Sequence, residues 1–538
     1  MGTPSLFGST VSGHTRRRAG PACWVAGVQA AGRSALIECG RPPTEFMNTA
    51  DRQLTTVHSG IDELDDLLNG GYVTGRTYLI QGGSGTGKSL LGQHFLEAGL
   101  ENDETVVYIH GEESRSDITT NAAQVGIDIA DAEFLDIGPG TDFFTEDIAY
   151  ELVAPTEVES ERFTKEIKDV IEDVDPKRLL IDPITQLQYV ERDAYQYRKR
   201  LQSLIRFLRA REVTAVATRT ITRSVADSAA DNEIESLSDG IVNISLEESE
   251  RRIEVPKHRG LGQQNGTHGL EIRDEGVEIF PQIVPKHHNR VFDPERIGTG
   301  DSALDDILGG GIERGSVTFI SGPTGIGKST TGAQLLTGVG EADKTALGYL
   351  FEESIEQFTY RCDNLGIAVG DLLDDGALHL TEVEPLVQSA EEFGRHVLRE
   401  IEAYDADTVL IDGLSGYKLS LQGESTRVVR RLHALTRVLK NRGVAVVITD
   451  ESSTITGIPR ATSTNTSYLA DNIIYLTYVE VDGGLERAFG VLKKRLGDFD
   501  SRFHRFHIET GEGLRFDGPF DGLTSIIQGT AADHDSRG

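Results

Sequence analysis

The chain carries one phosphate-loop pattern twice, and that duplication constrains its fold more than any other feature. Gly82-Gly83-Ser84-Gly85-Thr86-Gly87-Lys88-Ser89 follows the apolar run at 77–80, and Gly322-Pro323-Thr324-Gly325-Ile326-Gly327-Lys328-Ser329 follows that at 317–320. Both fit G-x-x-x-x-G-K-[ST] between a β-type run and a helical pattern. The glycines let the backbone curl so that successive N–H groups face phosphate oxygens. The next helix adds the partial positive charge of its N-terminus. Lys88 and Lys328 then reach the β- and γ-phosphates, and the Ser89 and Ser329 hydroxyls are ligands for Mg2+. One accidental match in a chain this long has odds of about one in fifty before context is required. Two matches with correct flanks define a nucleoside-triphosphate-binding protein.

The repeat extends beyond the loops. The stretch at 60–71 is matched by that at 300–311, and the spacing from Leu64 to Leu304 equals that from Lys88 to Lys328. The unit is therefore a whole duplicated domain rather than a solenoid repeat. In each copy β-branched runs (77–80, 106–109, 179–181 and 213–217 in the first) alternate with amphipathic helical patterns. This predicts an α/β fold: two tandem P-loop domains, each a mostly parallel sheet flanked by helices. The expected domains are 47–285 and 286–525, joined near Pro281 to Pro294, with a flexible tail at 526–538.

Residues 1–46 differ from the rest. They hold Arg16, Arg17, Arg18, Arg33 and Arg41 against Glu38 and Glu45, with the single tryptophan, Trp24. An export signal is one reading; a misplaced start, with Met47 opening the true protein, is favoured because the apolar stretch is short and broken by Arg33. The whole chain of 538 residues has 53 basic and 86 acidic side chains, a net charge of −33. That charge repels nucleic acid and anionic membranes unless a basic patch overrides it. The acidic, lysine-poor composition resembles that of proteins from salt-loving organisms, where salt screens self-repulsion. Cys23, Cys39 and Cys362 lack metal-ligand spacing and fit a reducing cytoplasm. No apolar run reaches membrane-spanning length.

Acidic residues complete each expected site. Glu112-Glu113-Ser114 and Glu352-Glu353-Ser354 follow the second strand of each copy at the same register. A carboxylate there can hold and deprotonate the attacking water, and adjacent like charges raise one partner's pKa. The third strands end in Asp182 and Asp412, the expected Mg2+-side carboxylates. Late in each copy Lys257 and Arg259, and Lys493 and Arg495, stand on alternate residues, so both cations of a pair share one face of a strand. Such a pair could reach a neighbouring subunit's γ-phosphate in trans.

Together these residues resemble the two-domain KaiC family of RecA-like P-loop ATPases over roughly residues 55–525. The resemblance implies ATP and Mg2+ as cofactors, two stacked hexameric rings with ATP at subunit interfaces, and the two Lys–Arg pairs acting on the neighbour's site. It also implies a signalling switch that exchanges protein partners. In the clock member of the family the second domain phosphorylates itself on an adjacent Ser-Thr pair. Here the matching positions are Ser467-Tyr468, which leaves Ser467, or nearby Thr466, as the candidate phosphosite of a Ser/Thr autokinase. Copy one has Ser236-Leu237 there, and Pro183 after Asp182 is a further departure. A third reading, a DNA-binding recombinase or helicase, rests on basic helical faces such as Arg198, Arg206, Arg209 and Arg211, and Arg427, Arg430, Arg431 and Arg437. A solvated helix face explains these more simply.

Overall fold

Every residue of β3 (Thr77–Gly82) is buried, and its side chains alternate between two cores. Tyr78 and Ile80 pack with Leu91, Phe95 and Leu180, whereas Leu79 packs with Leu179, Ala215 and Ala217. A strand apolar on both faces needs helices on both faces, which is the condition for a parallel sheet. The computed structural model describes residues 54–138, 155–187, 194–221, 234–247, 250–285, 295–338, 344–384, 388–420, 425–452, 468–481 and 483–520. The expectations for residues 1–46 and 526–538 lie outside these residues.

A two-stranded ribbon, β1 (Thr56–Val57) with β2 (Tyr72–Val73), precedes the first main sheet. That sheet continues with β4 (Val106–His110), β5 (Glu133–Asp136), β6 (Arg178–Asp182), β7 (Thr214–Thr220), β8 (Gly240–Glu247), β9 (Glu250–His258), β10 (His268–Arg273) and β11 (Gly276–Phe280). Its strand order is β11-β10-β9-β8-β3-β7-β6-β4-β5. Strands β5 to β8 run parallel with β3, whereas β8 to β11 form an antiparallel extension. The second copy repeats this plan after its own ribbon of β12 (Arg296–Ile297) and β13 (Ile312–Glu313). Its strands are β14 (Val317–Gly322), β15 (Ala346–Leu350), β16 (Leu378–Glu382), β17 (Thr408–Asp412), β18 (Ala445–Glu451), β19 (Asn472–Val481), β20 (Gly484–Lys494), β21 (His504–Glu509) and β22 (Gly513–Pro519). The order β16-β15-β17-β18-β14-β19-β20-β21-β22 is the same one, strand for strand. The fold is thus two tandem domains, each a mostly parallel sheet with flanking helices, as the alternating pattern predicts.

The four runs expected in the first copy are all strands. The antiparallel extension lies beyond those runs: β9 buries Arg252, Ile253, Val255 and His258 and exposes Pro256, without a clean two-residue alternation. One basic face departs from expectation. Arg431, on the helix Ser425–Arg442, is not solvated: its guanidinium lies 2.7 Å from the carboxylate of buried Glu391. Glu391 also pairs at 2.9 Å with Arg252 of β9, itself 1% exposed, so the triad ties the first domain to the second. Two further pairs, Arg273–Glu392 and the half-buried Arg395–Glu63, cross the same junction.

Candidate functional site

In both copies the central strand runs straight into the loop, and its last residue is the loop's first glycine. A Cβ on Gly82 would lie 2.2 Å from the Ile244 carbonyl oxygen, so a side chain there would force β3 and β8 apart. Gly87 and Gly327 hold φ values of 100° and 113°, which L side chains rarely adopt, and each serves as N-cap of the following helix. Neither cap offers a side-chain acceptor to the helix. The first N–H groups of Lys88–Leu100 and Lys328–Thr337 therefore stay available to an anion. Lys88 Nζ donates to the Gly83 carbonyl at 2.6 Å, and Lys328 Nζ to that of Pro323 at 3.1 Å. Burial pushes both ammonium pKa values down. Asp182 and Glu112 oppose that at Lys88; Glu451, Asp412, Glu352 and Asp450 oppose it at Lys328.

Asp182 and Asp412 sit at the ends of β6 and β17, beside the central loops. Asp412 Oδ1 accepts from Ser329 Oγ at 3.1 Å and from Thr449 Oγ1 at 2.5 Å. Asp182 accepts from the Tyr108 hydroxyl at 2.8 Å and from the Thr218 hydroxyl. A loop hydroxyl and a strand-end carboxylate within hydrogen-bond reach are hard oxygen donors. They suit Mg2+, which takes few protein ligands and completes its shell with phosphate oxygens and water. Among the described residues no group of three or more His, Cys, Asp or Glu could hold a metal.

The Glu-Glu-Ser motifs divide into three jobs. Glu352 lies against Gly413, next to Asp412, and interacts electrostatically with Lys328; Glu112 interacts in the same way with Lys88. Glu353 points elsewhere, into a 2.5 Å ion pair with Arg361, which also donates to Thr330 Oγ1 at 3.0 Å. Glu113 accepts from Asn121 at 3.3 Å. Ser114 and Ser354 cap their helices by accepting the Asp117 and Gln357 amides. Glu352 has a raised pKa, as expected, but burial is the main cause, followed by Asp412 and Glu451. Its neighbour Glu353 contributes least.

The late cations lie apart from their own loops. Lys257 faces Ile241 near the start of β8, and Gly240 faces Tyr78 near the start of β3. Ile241 in turn faces Leu79, and the loop leaves the other end of β3 three residues further on, about 10 Å along the strand. Lys257 donates to the Glu235 carbonyl at 2.7 Å, and Arg259 lies 3.6 Å from Asp239. Lys493 donates to the Ala470 carbonyl at 2.6 Å, and Arg495 lies 3.6 Å from Asp471. Both arginines fall just past the end of their strand, yet Lys257 and Arg259 both reach the Ser236 carbonyl, and Arg495 acts electrostatically on Lys493. Ser467 and Thr466 lie outside the described residues.

The family model described as "ATPase: KaiC" matches residues 57–284 and again 297–519. The chain belongs to the KaiC ATPase family. Among similar proteins is the circadian clock oscillator protein KaiC of Parathermosynechococcus lividus, 28% identical over 509 residues, 91% of each chain. Those of Acaryochloris marina (27% over 488 residues, 89% of this chain and 91% of the relative) and Parasynechococcus marenigrum (28% over 500 residues, 91% and 95%) are similar to the same degree. The KaiC assignment carries ATPase chemistry with it, and no described helix is long and apolar enough to cross a membrane.

Within this KaiC frame, sequence reading overlooked Thr218 and Thr449. They stand opposite Ile80 and Ile320, at one register in the two sheets, and each orients the strand-end aspartate. Comparing the repeats position by position would have found them. It also overlooked Glu451, which closes β18 beside the second loop and accepts a hydrogen bond from Thr324.

Proposed function

We propose that this KaiC-family chain hydrolyses ATP as a homo-oligomer in which each cavity is completed by a neighbouring copy, and that turnover switches the assembly between partner-binding states. The observation that carries this reading is the separation of Lys257–Arg259 and Lys493–Arg495 from their own loops by half a strand or more. A loop at one end of the strands and its cations toward the other call for a head-to-tail contact, which closes into a ring when the rotation permits. Six copies is what the family resemblance implies.

In each cavity the loop amides and Lys88 or Lys328 hold the phosphates. Glu112 or Glu352 orients the attacking water and takes its proton. The neighbour's Lys and Arg offset charge building on the γ-phosphoryl oxygens. Ser89 with Asp182, and Ser329 with Asp412, would hold Mg2+, which neutralises charge on the β- and γ-oxygens when bound. A regulatory role accords with the oscillator named among the relatives. Autokinase activity rests on Ser467, and nothing in the described residues adds to it.

Size exclusion with light scattering, with and without ATP at several salt concentrations, tests the reading alongside turnover measurements. Assembly promoted by ATP and turnover lost in Lys257→Ala with Lys493→Ala are expected. A monomer that turns over ATP at full rate would refute it.

A further inference from the structure

The two cavities are built on one plan, but their charge differs at the strand beside the loop. In the first, β7 places Arg219 opposite Gln81 and Thr220 opposite Gly82. In the second, β18 places Asp450 opposite Ser321 and Glu451 opposite Gly322. The inner positions are largely balanced. Arg219 pairs with Glu235 at 2.7 Å, and buried Asp450 interacts with Lys418. The outer ones are not: a neutral threonine in one copy is a carboxylate in the other.

Glu451 points at the loop. It accepts a hydrogen bond from Thr324, and of the acids around Lys328 it acts most strongly on that ammonium. This lysine is the group that reaches the β- and γ-phosphates. A triphosphate differs from a diphosphate by the charged group at that end, so a fixed negative charge there penalises the triphosphate selectively.

We infer that Glu451 is a specificity-determining residue which lowers the second cavity's preference for ATP over ADP relative to the first cavity. This rests on both cavities being nucleotide sites. One unit charge beside a phosphate in a partly solvated cavity corresponds to about a tenfold change in relative affinity. Loss of the Thr324 bond alone would affect both nucleotides alike, because the loop embraces the phosphates they share.

The test uses the full chain with Lys88→Ala, so that binding reports the second cavity. Affinities for adenylyl imidodiphosphate and ADP are measured by titration calorimetry, alone and with Glu451→Thr or Glu451→Gln. Either substitution should raise the analogue-to-ADP preference about tenfold. The mirror variant, Thr220→Glu with Lys328→Ala, should lower it by a similar factor in the first cavity. Both nucleotides binding with a ratio unchanged within twofold in all variants overturns the inference. Absence of binding at the second cavity, with or without Glu451, removes the nucleotide-site reading and the inference with it.

Discussion

Glu391 is 3% exposed and lies between two guanidinium groups, Arg252 at 2.9 Å from the first domain and Arg431 at 2.7 Å from its own. Replacing it with glutamine keeps its shape and removes its charge. Arg252 would retain Glu250, but among the described residues Arg431 has no other carboxylate within ion-pair distance. Breaking a buried pair from one side typically costs about 3–5 kcal/mol, because a desolvated charge is left without a partner. The remaining Arg252–Glu250 contact places Glu391→Gln near the lower figure, about 3 kcal/mol. Urea unfolding followed by far-UV circular dichroism is the suitable assay, since guanidinium would screen the charges under study. The first transition should move to lower urea by that amount. The triple replacement Arg252→Met, Glu391→Leu, Arg431→Met should recover most of it, because apolar groups of similar volume do not need pairing. A Glu391→Gln transition within about 0.5 kcal/mol of the parent would refute the claim that the charge is desolvated at the junction.

Glu112→Gln and Glu352→Gln should each slow turnover at their own cavity by about 100-fold or more, the range expected for a lost general base. Single-turnover hydrolysis reads this, and an equal loss in Glu113→Gln would show that the two acids had not divided their roles. Thr449→Val removes one donor to Asp412 and should weaken ATP binding at the second cavity by about 1 kcal/mol, measured by calorimetry. His268 is fully buried and accepts the Gln282 amide on Nδ1. Burial holds its pKa below the ordinary value despite the nearby Glu391 and Glu254. The unfolded chain therefore takes the proton first as pH drops below about 6.5, and stability falls there. His268→Gln should lose less stability than the parent between pH 7.5 and 5.5, and parallel thermal-melting curves would contradict the assignment.

Much of the cavity was legible because its chemistry is written in short segments. A loop that must curl around phosphates needs glycine at Gly87 and Gly327, and the strand before it must be apolar on both faces. The aspartates were legible because an apolar run ending in an acid is a local signal. Thr218 and Thr449 were not, since each reaches its aspartate across more than thirty residues and looks like any strand threonine. Arg431 read as solvent-facing because its helix is amphipathic, yet the carboxylate that pairs with it, Glu391, is shared with Arg252 and lies far away in sequence. The Glu-Glu pairs read as twin acids; the contact of Glu352 with Gly413 and that of Glu353 with Arg361 distinguish one from the other.

The placement of loop and cations at opposite strand ends has a genetic consequence. If copies close each other's cavities as proposed, a chain defective only in its loop lysines and one defective only in Lys257 and Lys493 each keep the half that the other lacks. Mixed before assembly, the two dead proteins should regain part of the wild-type rate. Either of them, co-expressed with the normal chain, should inactivate sites only in proportion to its share of the subunits, whereas a chain carrying both defects should inactivate more than its share.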